Sequence, residues 1–471
     1  MAPLFAIPDS ARESLYRRYS GLVEVNPALS RALVSYQSNR SRANYWWFKY
    51  KEGFSAALVE YLLTHFKIES GTLLDPFAGS GAALFVARDH GLSSVGIELL
   101  PVGSHAIAAR LASEQIDFHE FKAVVSRVAA GDWRVTPDSW FTFKHLRITE
   151  SAFPAATEHA LAQYRTFLRD CIHDDLIRQV LDFACLSVLE SISYTRKDGQ
   201  YLRWDSRAPR KLPGKQFDKG SILEFEAALL GRLQQIVDDL REPDLFQEIR
   251  GSSGSRLEIH EGSCLDVLPT LDRGSCSVLI TSPPYCNRYD YTRTYALELA
   301  YLGIDEERLK SLRQSLLSCT VENRSKADQL QESYSANGAR KTLEGATRAF
   351  ENQDALQEVL RALENKAKGG ELNNVNVPRM VRNYFLESAL AIFEWARILN
   401  PGSRVAVVND NVQYGGEEVP VDLIFCDLAE TAGFTIERIW TLGRGKGNSS
   451  QQMGVHGRRE LRKCVYTWRR D

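Results

Sequence analysis

Short apolar runs alternate along the chain with longer stretches of helical periodicity. Residues 71–74, 94–98, 276–280 and 405–408 contain Leu, Val and Ile and have the length of buried strands. Residues 377–399 repeat apolar side chains at helical spacing. Strands that alternate with helices in this way predict an α/β fold, built on a doubly wound, mostly parallel sheet with helical insertions.

Length and composition narrow the class of protein. The chain has 471 residues, which favours two domains or one domain with large insertions. Its net charge of −2 argues against a uniformly cationic protein but is compatible with local basic patches. No apolar run approaches the roughly 20 residues of a membrane-spanning helix, and the first residues lack the pattern of a signal peptide. The eight cysteines include no Cys-x-x-Cys pair, so we expect free thiols, no metal site and a cytoplasmic location.

A glycine-containing turn follows the first of these strands. Residues 75–81 read Asp-Pro-Phe-Ala-Gly-Ser-Gly and lead into a helix, which is the layout of a nucleotide-type ligand site. Glu98 ends the next strand, where a carboxylate suits the two hydroxyls of a ribose. The turn lacks the third glycine of the dinucleotide fingerprint and the Gly-Lys-Ser/Thr of a phosphate-binding loop. We therefore predict an adenosyl ligand, with a simple turn and a surface glutamate as the alternative.

A second turn follows the strand at residues 276–280. Residues 281–285 read Thr-Ser-Pro-Pro-Tyr, and two consecutive prolines end a strand because neither can donate to the ladder. The turn offers the Ser282 hydroxyl, the Pro283 carbonyl and the Tyr285 ring, which could hold an amino group on a flat ring and stack on that ring. A proline-terminated strand with a packing tyrosine is the alternative. We expect both turns to share one cleft, because ligands bind at the strand ends where the winding order reverses.

Two basic stretches are candidates for binding nucleic acid. Residues 193–211 interleave cationic and aromatic side chains, which suits phosphates and unstacked bases. Residues 443–452 are polar and basic. A solvated charged face is the alternative. The predicted contacts are Arg196, Lys197, Tyr201, Arg203, Trp204, Arg207, Arg210, Lys211, Arg444 and Lys446.

Large insertions divide the predicted core. Residues 46–111 and 256–471 carry the core strands and helices. Residues 1–45 are polar and rich in arginine and predict an N-terminal arm or short helices that lie on the body. Residues 112–255 form an insertion between core strands, and residues 305–375 predict a charged helical excursion within the core.

Together the two turns resemble the motifs of the S-adenosylmethionine-dependent DNA amino-methyltransferases. The serine form of Ser-Pro-Pro-Tyr resembles the cytosine-N4 branch, whereas the adenine-N6 branch usually carries aspartate there. The resemblance covers residues 45–110 and 256–470 and implies a seven-stranded, Rossmann-like methyltransferase sheet. It also implies site-specific methyl transfer to the exocyclic N4 amino group of a flipped cytosine. An adenine-N6 DNA enzyme, an RNA base methyltransferase and a non-catalytic DNA-recognition subunit are the alternatives.

The resemblance implies roles for individual residues. The catalytic turn would be Ser282, Pro283, Pro284 and Tyr285. Residues that would bind the cofactor S-adenosylmethionine are Lys51, Phe54, Ser55, Asp75, Pro76, Phe77, Ala78, Gly79, Gly81, Glu98, Asp266 and Thr281. Glu98 would meet the ribose. Asp266, or alternatively a backbone group, would replace an acid that often follows the glycine at position 262 and contacts the adenine ring.

The resemblance also implies partners. Double-stranded DNA is the expected substrate, and residues 112–255 are the candidate target-recognition region, with residues 305–375 as the second choice. A restriction-modification setting implies a cognate nuclease and action on the nucleoid of a bacterial or archaeal cell.

Overall fold

The structure is a computed structural model that describes residues 10–51, 53–198, 201–210, 216–241, 254–443 and 461–471. Within these residues the strands are β1 (Val23–Val25), β2 (Thr72–Asp75), β3 (Ser93–Glu98), β4 (Thr195–Asp198), β5 (Tyr201–Trp204), β6 (Leu257–Glu261), β7 (Cys276–Thr281), β8 (Leu399–Asp410), β9 (Val412–Tyr414), β10 (Glu417–Val419), β11 (Phe434–Thr441) and β12 (Lys463–Arg470). They form one large sheet and two short hairpins, β4–β5 and β9–β10.

The large sheet confirms the predicted doubly wound, mostly parallel architecture. Its eight described strands lie in the order β1-β11-β12-β8-β7-β2-β3-β6. Neighbours are parallel except at β12, which runs antiparallel to both β11 and β8. The chain moves outward from β2 through β3 to β6 and then returns to the other side of β2 at β7. The winding order therefore reverses between β2 and β7, the two strands that end in the predicted turns.

Helices cover the sheet and build the insertions. Within the described residues they are α1 (Ala11–Tyr19), α2 (Ala56–Phe66), α3 (Ala82–Asp89), α4 (Pro101–Ser113), α5 (Phe118–Ala129), α6 (Ala155–Cys171), α7 (Asp175–Ile192), α8 (Phe225–Arg241), α9 (Cys264–Val267), α10 (Tyr291–Thr294), α11 (Ala296–Tyr301), α12 (Glu306–Ser315), α13 (Ala327–Ala336), α14 (Arg340–Glu351), α15 (Asp354–Lys368), α16 (Val377–Ile398) and α17 (Val421–Ala432). Helices α12 to α15 confirm the helical character of residues 305–375.

The central strands are apolar throughout because both faces of the sheet are covered. In β7, Val278 and Ile280 pack toward α2 and α3, whereas Leu279 packs toward α16 and α17. The same alternation continues in β8, where Ala406 and Val407 belong to opposite faces. Continuous apolar runs of this kind are what the sequence pattern predicted for a buried sheet.

The inserted residues have a hydrophobic core of their own. Helices α5 to α8 pack against α4, α11 and the aromatic side chains of Trp47 and Phe48. Part of the aromatic segment at residues 45–55 therefore serves core packing. Tyr50 from the same segment also belongs to this core, and it reaches the cavity described below.

The resemblance implied seven strands in the sheet, and the described sheet has eight. The extra strand is β1, which pairs in parallel with β11 and places Val23 opposite Ile439. Residues 23–25 therefore extend the sheet, a contribution that the prediction of an N-terminal arm or short helices did not include. Val25 is 62% exposed, and a three-residue edge strand of this kind has too few apolar positions to be recognised from sequence.

Two further observations concern membranes and metals. Among the described helices, none is long and apolar enough to cross a membrane. The described residues also contain no group of three or more His, Cys, Asp or Glu side chains placed to hold a metal ion.

The start of β2 gives a test of how closely β2 and β7 must pack. Gly71 has φ +111°, and a Cβ there would lie 1.9 Å from the Ser277 hydroxyl oxygen, which also accepts a hydrogen bond from the Thr72 N–H at 2.9 Å. We expect Gly71→Ala to lower the free energy of unfolding by more than about 1 kcal/mol. Gly21→Ala is the matched control, because no atom lies within 4 Å of its added Cβ. Urea unfolding monitored by circular dichroism measures both, and equal midpoints would contradict the expectation.

Candidate active site

The two predicted turns meet at the carboxyl ends of β2 and β7. These strands are neighbours, with Leu73 opposite Val278 and Leu74 opposite Leu279. One buried hydrogen bond joins the strand ends, because the Thr281 hydroxyl donates to Asp75 Oδ1 at 2.6 Å. The expectation that both turns share one cleft is confirmed.

A first cavity of about 800 Å³, partly open to solvent, lies over these strand ends. Four segments form most of its wall: the glycine turn at residues 75–80, the end of β3 at 97–100, residues 262–264 and residues 315–317. Ser282 and Pro284 close it on the side of the second turn. A pocket of this volume accommodates a ligand of nucleoside size.

Glu98 is held by backbone groups at the edge of the first cavity. Its carboxylate accepts hydrogen bonds from the Gly79 N–H at 2.6 Å and from the Leu100 N–H at 2.7 Å. A Cβ at Gly103 would lie 2.5 Å from the Gly79 carbonyl oxygen and 2.7 Å from Glu98 Cγ, so the start of α4 packs directly on this arrangement. Burial raises the pKa of Glu98 to about 8, while the two backbone N–H groups favour the ionised form.

Asp75 is the second carboxyl group of the first cavity. It accepts hydrogen bonds from the Thr281 hydroxyl and, at 3.1 Å, from the Phe77 N–H. Burial raises the pKa of Asp75 to about 7, against the effect of those two hydrogen bonds. Both acids can therefore change charge near neutral pH.

The charges around the first cavity identify the kind of ligand that fits. Among the described residues of its wall, the ionisable carboxyl groups are Asp75 and Glu98, and no Lys or Arg is present. Phosphate groups would lack cationic partners there, which supports the prediction against a di- or triphosphate. Apolar side chains such as Phe77, Leu100 and Leu316 line the remaining wall and can contact a flat base. A cationic or neutral nucleoside with free hydroxyl groups matches this set.

The turn at residues 281–285 separates the first cavity from a second one. The Ser282 hydroxyl lies 3.2 Å from the Val408 carbonyl oxygen and 3.3 Å from the Tyr285 hydroxyl oxygen. Ser282 and Pro284 face the first cavity, whereas Tyr285 faces the second. Cys286 is fully buried, and burial raises the pKa of its thiol well above the ordinary value, so it is not poised as a nucleophile.

The second cavity, about 1060 Å³ including its part open to solvent, we call the groove. It adjoins the first cavity, because Tyr36, Tyr50 and Gly53 line both. Five cationic residues lie along the groove: Arg31, Arg40, Lys49, Lys51 and Lys463. Among the described residues that line it, the acid is Asp410, which forms an ion pair with Lys463.

Most of the predicted cofactor residues lie at the first cavity. Those on its wall are Phe54, Asp75, Pro76, Phe77, Ala78, Gly79 and Glu98. Thr281 is not on this wall but donates a hydrogen bond to Asp75. Gly79 has φ +56°, and a Cβ there would lie 3.0 Å from the Tyr50 ring, so this position favours glycine on both counts.

Four predicted cofactor residues lie elsewhere. Ser55 caps α2 by accepting a hydrogen bond from the Leu58 N–H, and Gly81 is the cap of α3. Lys51 lines the groove and donates to the Lys197 carbonyl oxygen at 3.0 Å. Asp266 is exposed on α9 and is not part of the cavity wall, where Gly262, Ser263 and Cys264 stand instead.

The hairpin β4–β5 and the residues that directly follow it carry most of the predicted DNA contacts. Arg196 is exposed and lies opposite Arg203 in the hairpin. The guanidinium carbon of Arg203 lies 3.9 Å from the centre of the Phe217 ring. Arg210 stacks on Trp204 at 4.1 Å. Tyr201 pairs with Asp198 at the end of the hairpin. Arg207 is half exposed, but its guanidinium already binds both carboxylate oxygens of Asp205.

The prediction that Lys197 contacts DNA is wrong. Its ammonium is buried, forms an ion pair with the Glu298 carboxylate and lies 4.8 Å from the centre of the Tyr295 ring. Neighbouring strand residues point to opposite faces, so Arg196 reaches solvent while Lys197 enters the core. Lys211, Arg444 and Lys446 lie outside the described residues.

Several wall residues were not predicted. Tyr36 reaches both cavities from the N-terminal segment, and Leu316 and Leu317 come from the helical excursion. The loop that carries these two leucines is fixed by Lys326, which donates to the Leu316 carbonyl oxygen at 2.6 Å and to Glu387 at 2.7 Å. No local sequence pattern indicates such contacts, since they join segments far apart in the chain.

Comparison with known proteins agrees with this arrangement. Residues 14–104 match the N6_N4_Mtase family, described as DNA methylase. The chain is 43% identical over 463 residues to the type II methyltransferase M.AvaI of Nostoc sp. (strain PCC 7120 / SAG 25.82 / UTEX 2576), which covers 97% of this chain and 93% of that protein. The M.AvaI methyltransferase of Anabaena variabilis gives the same values. The type II methyltransferase M.BsoBI of Geobacillus stearothermophilus is 39% identical over 476 residues, covering 98% of this chain and 92% of that protein.

The neighbouring cations Arg196 and Lys197 form a matched pair for a test. We expect Lys197→Met to leave Glu298 buried without its counter-charge and to lower the free energy of unfolding by about 3 kcal/mol or more. Arg196→Met should leave stability unchanged, because its side chain is exposed. Denaturant unfolding of both variants and a duplex-binding titration of each measure the two effects. A stable Lys197→Met variant with weakened DNA binding would show that Lys197 contacts DNA after all.

Proposed function

The chain belongs to the type II DNA methyltransferases of restriction-modification systems, and from this premise we propose that it methylates the N4 amino group of cytosine, with S-adenosylmethionine as the cofactor. The single observation that carries the proposal is the turn at residues 281–285. It stands between two adjoining cavities, with Ser282 on one side and Tyr285 on the other. A methyl donor in the first cavity and a flipped base in the groove would meet at this turn.

The first cavity suits S-adenosylmethionine. The cofactor carries positive charge on its sulfur and amino groups and has two ribose hydroxyls, and the wall offers the carboxyl groups of Asp75 and Glu98. We assign Glu98 to the ribose, since its carboxylate oxygens can accept further hydrogen bonds. Asp75, Phe77 and Gly79 would hold the methionine end. To Ser263, Leu316 and Leu317 we assign the adenine ring, since all three line the first cavity and the two leucines offer apolar contact to a flat base.

The groove suits the base that receives the methyl group. A base inside a duplex cannot reach a buried turn, so it must leave the helix before reaction. Tyr285 would stack on the extruded ring. Ser282 can give its proton to the Val408 carbonyl oxygen and keep a lone pair for an N–H of the base. The Pro283 carbonyl would accept the other N–H, which orients the amino group.

The residues of the turn act by positioning and not by covalent attack. S-adenosylmethionine, when bound, would supply the methyl group: the carbon–nitrogen bond would form as the carbon–sulfur bond breaks, the sulfur would leave as a neutral thioether, and the amino nitrogen would release one proton to solvent. The amino lone pair is delocalised into the ring, so two acceptors at Ser282 and Pro283 would favour a pyramidal nitrogen. Fixed dipoles at this point stabilise the charge that develops in the transition state.

Ser282 supports cytosine-N4 over adenine-N6, because the adenine branch usually carries aspartate at this position. Target recognition we assign to residues 112–255, in which the hairpin β4–β5 is in contact with a residue of the groove. Lys51, which lines the groove, donates to the Lys197 carbonyl oxygen of this hairpin. A cognate nuclease belongs to the same proposal.

Substitutions in the turn test the proposal. We expect Ser282→Ala and Tyr285→Ala to lower the turnover number by about 100-fold or more, while the affinity for S-adenosylmethionine is retained. The measurement combines transfer of a labelled methyl group to DNA, digestion to nucleosides, identification of the methylated nucleoside by mass, and calorimetry of cofactor binding. Wild-type protein should yield N4-methylcytosine.

Two controls sharpen this test. Glu98→Gln should instead lower the affinity for S-adenosylmethionine. Thr270→Ala should change neither this affinity nor the turnover number, since the Thr270 hydroxyl donates to the Val267 carbonyl oxygen of its own turn. N6-methyladenine as the product would overturn the choice of base. Loss of cofactor binding in both turn variants would overturn the assigned roles.

The raised pKa values make cofactor affinity depend on pH. Burial raises the pKa of Glu98 to about 8 and that of Asp75 to about 7, so both carboxyls are largely protonated below pH 6.5. Ribose hydroxyls and a cationic donor bind the ionised forms best. Affinity should therefore rise with pH, by up to about tenfold per pH unit for each proton released, and level off above pH 8.

The variant Glu98→Gln distinguishes the contributions of Glu98 and Asp75 to the pH dependence of cofactor affinity. It should remove the rise between pH 7 and 8 and keep the part that Asp75 produces below pH 7. Isothermal titration in buffers of different ionisation enthalpy measures the affinity and the protons released. An affinity independent of pH in wild-type protein would contradict the assignment of these carboxyls to the cofactor.

A further inference from the structure

We propose that the N-terminal segment at residues 31–49 binds the DNA backbone beside the flipped nucleotide, through Arg31, Arg40 and Lys49. This inference rests on the proposed function and assigns a DNA contact to a segment with no predicted role in binding. The three side chains line the groove on which Tyr285 opens. They would neutralise phosphates on either side of the extruded base.

No hydrogen bond or close ion pair holds the three cations within the described part of the chain, although Asp410 attracts Arg31 and Glu190 attracts Lys49 at longer range. Arg31, Arg40 and Lys49 are exposed, and their side chains form no hydrogen bond and no ion pair within 4 Å among the described residues. By contrast, Arg42 from the same segment is bound to Glu60 at 2.6 Å. Unpaired cations gathered on one wall create the positive potential that attracts a polyanion.

The described wall of the groove has no surplus of acid to offset these charges. Asp410 is the acid among the described residues that line it, and Lys463 already pairs with it. Partial burial lowers the pKa of Lys49, and repulsion by Lys51, Arg40 and Lys197 lowers it further, although Glu190 acts in the opposite direction. A bound phosphate would relieve this crowding of like charges.

The segment is fixed before any ligand arrives. Asn39, which precedes Arg40, is buried, and its amide side chain donates to the Phe54 carbonyl oxygen at 3.4 Å and accepts from the Ala56 N–H at 2.9 Å. The Tyr36 hydroxyl donates to the Trp46 carbonyl oxygen at 2.8 Å. Cations on a fixed backbone lose less conformational entropy on binding than cations on a loose arm.

The groove is also continuous with the hairpin proposed to read the target. Lys51 spans the two, since it lines the groove and donates to the backbone of Lys197. Arg196 is exposed on that hairpin. A duplex held between hairpin and groove would present its backbone to both, so base contacts and phosphate contacts would come from different segments.

The test is the salt dependence of DNA binding. The triple variant Arg31→Gln, Arg40→Gln, Lys49→Gln should weaken binding to duplexes of any sequence, and the slope of log affinity against log salt should fall by about 0.9 for each phosphate that is no longer neutralised. The control is Lys67→Gln, Arg256→Gln, Arg273→Gln, which removes three exposed cations near the amino ends of β2, β6 and β7, outside the groove and outside residues 112–255 and 305–375. The control should leave the slope unchanged.

Further measurements distinguish an effect on DNA binding in the groove from an effect on cofactor binding, stability or turnover. In the triple variant the cofactor affinity and the thermal midpoint should match wild type, and the KM for DNA should rise more than the turnover number falls. Arg31→Lys, Arg40→Lys, which keeps both charges, should restore most of the slope. An unchanged slope in the triple variant, or an equal decrease in the control, would overturn the inference. Absence of methyl transfer by wild-type protein would instead overturn the proposed function, because the slope is measured without catalysis.

Discussion

The hydrogen bond between the Thr281 hydroxyl and Asp75 Oδ1 joins the two strand ends on which the site depends. It is buried at the point where the winding order of the sheet reverses, between β2 and β7. The bond fixes the glycine turn relative to the turn at residues 281–285, and thereby fixes one cavity relative to the other. Transfer between two bound molecules requires such fixed placement, since a small displacement of the reacting atoms slows the reaction strongly.

The two cavities differ in the charge of the side chains that line them. Below the glycine turn, two carboxyl groups are withdrawn from water and stabilised by backbone N–H groups, which suits a ligand with hydroxyls and positive charge. In the groove, five cationic side chains lie along the wall, which suits phosphates. The turn at residues 281–285 is the boundary between these environments, so a protein of net charge −2 presents an acidic cavity and a basic groove side by side.

The sequence predicted the parts of the site that depend on local geometry. The glycine turn and the Ser-Pro-Pro-Tyr turn each follow a strand, and Glu98 ends one. Apolar runs and prolines predict where such strands end. The contributions of Tyr36, Leu316 and Leu317 were not predicted, because the packing of distant segments places them. The same reason explains why the edge strand β1 was not predicted. Lys197 was misassigned because one residue of register decides whether a strand side chain faces solvent or core, and the charge pattern alone contains no register.

The most direct test of the two-cavity arrangement is a structure of the protein with S-adenosylhomocysteine and a duplex that contains its methylation target. We expect the adenosyl ligand against Asp75 and Glu98, and the target base outside the helix, in the groove, stacked on Tyr285 with its amino group at Ser282. A target base that stays stacked in the duplex, or an adenosyl ligand bound away from the glycine turn, would contradict this arrangement.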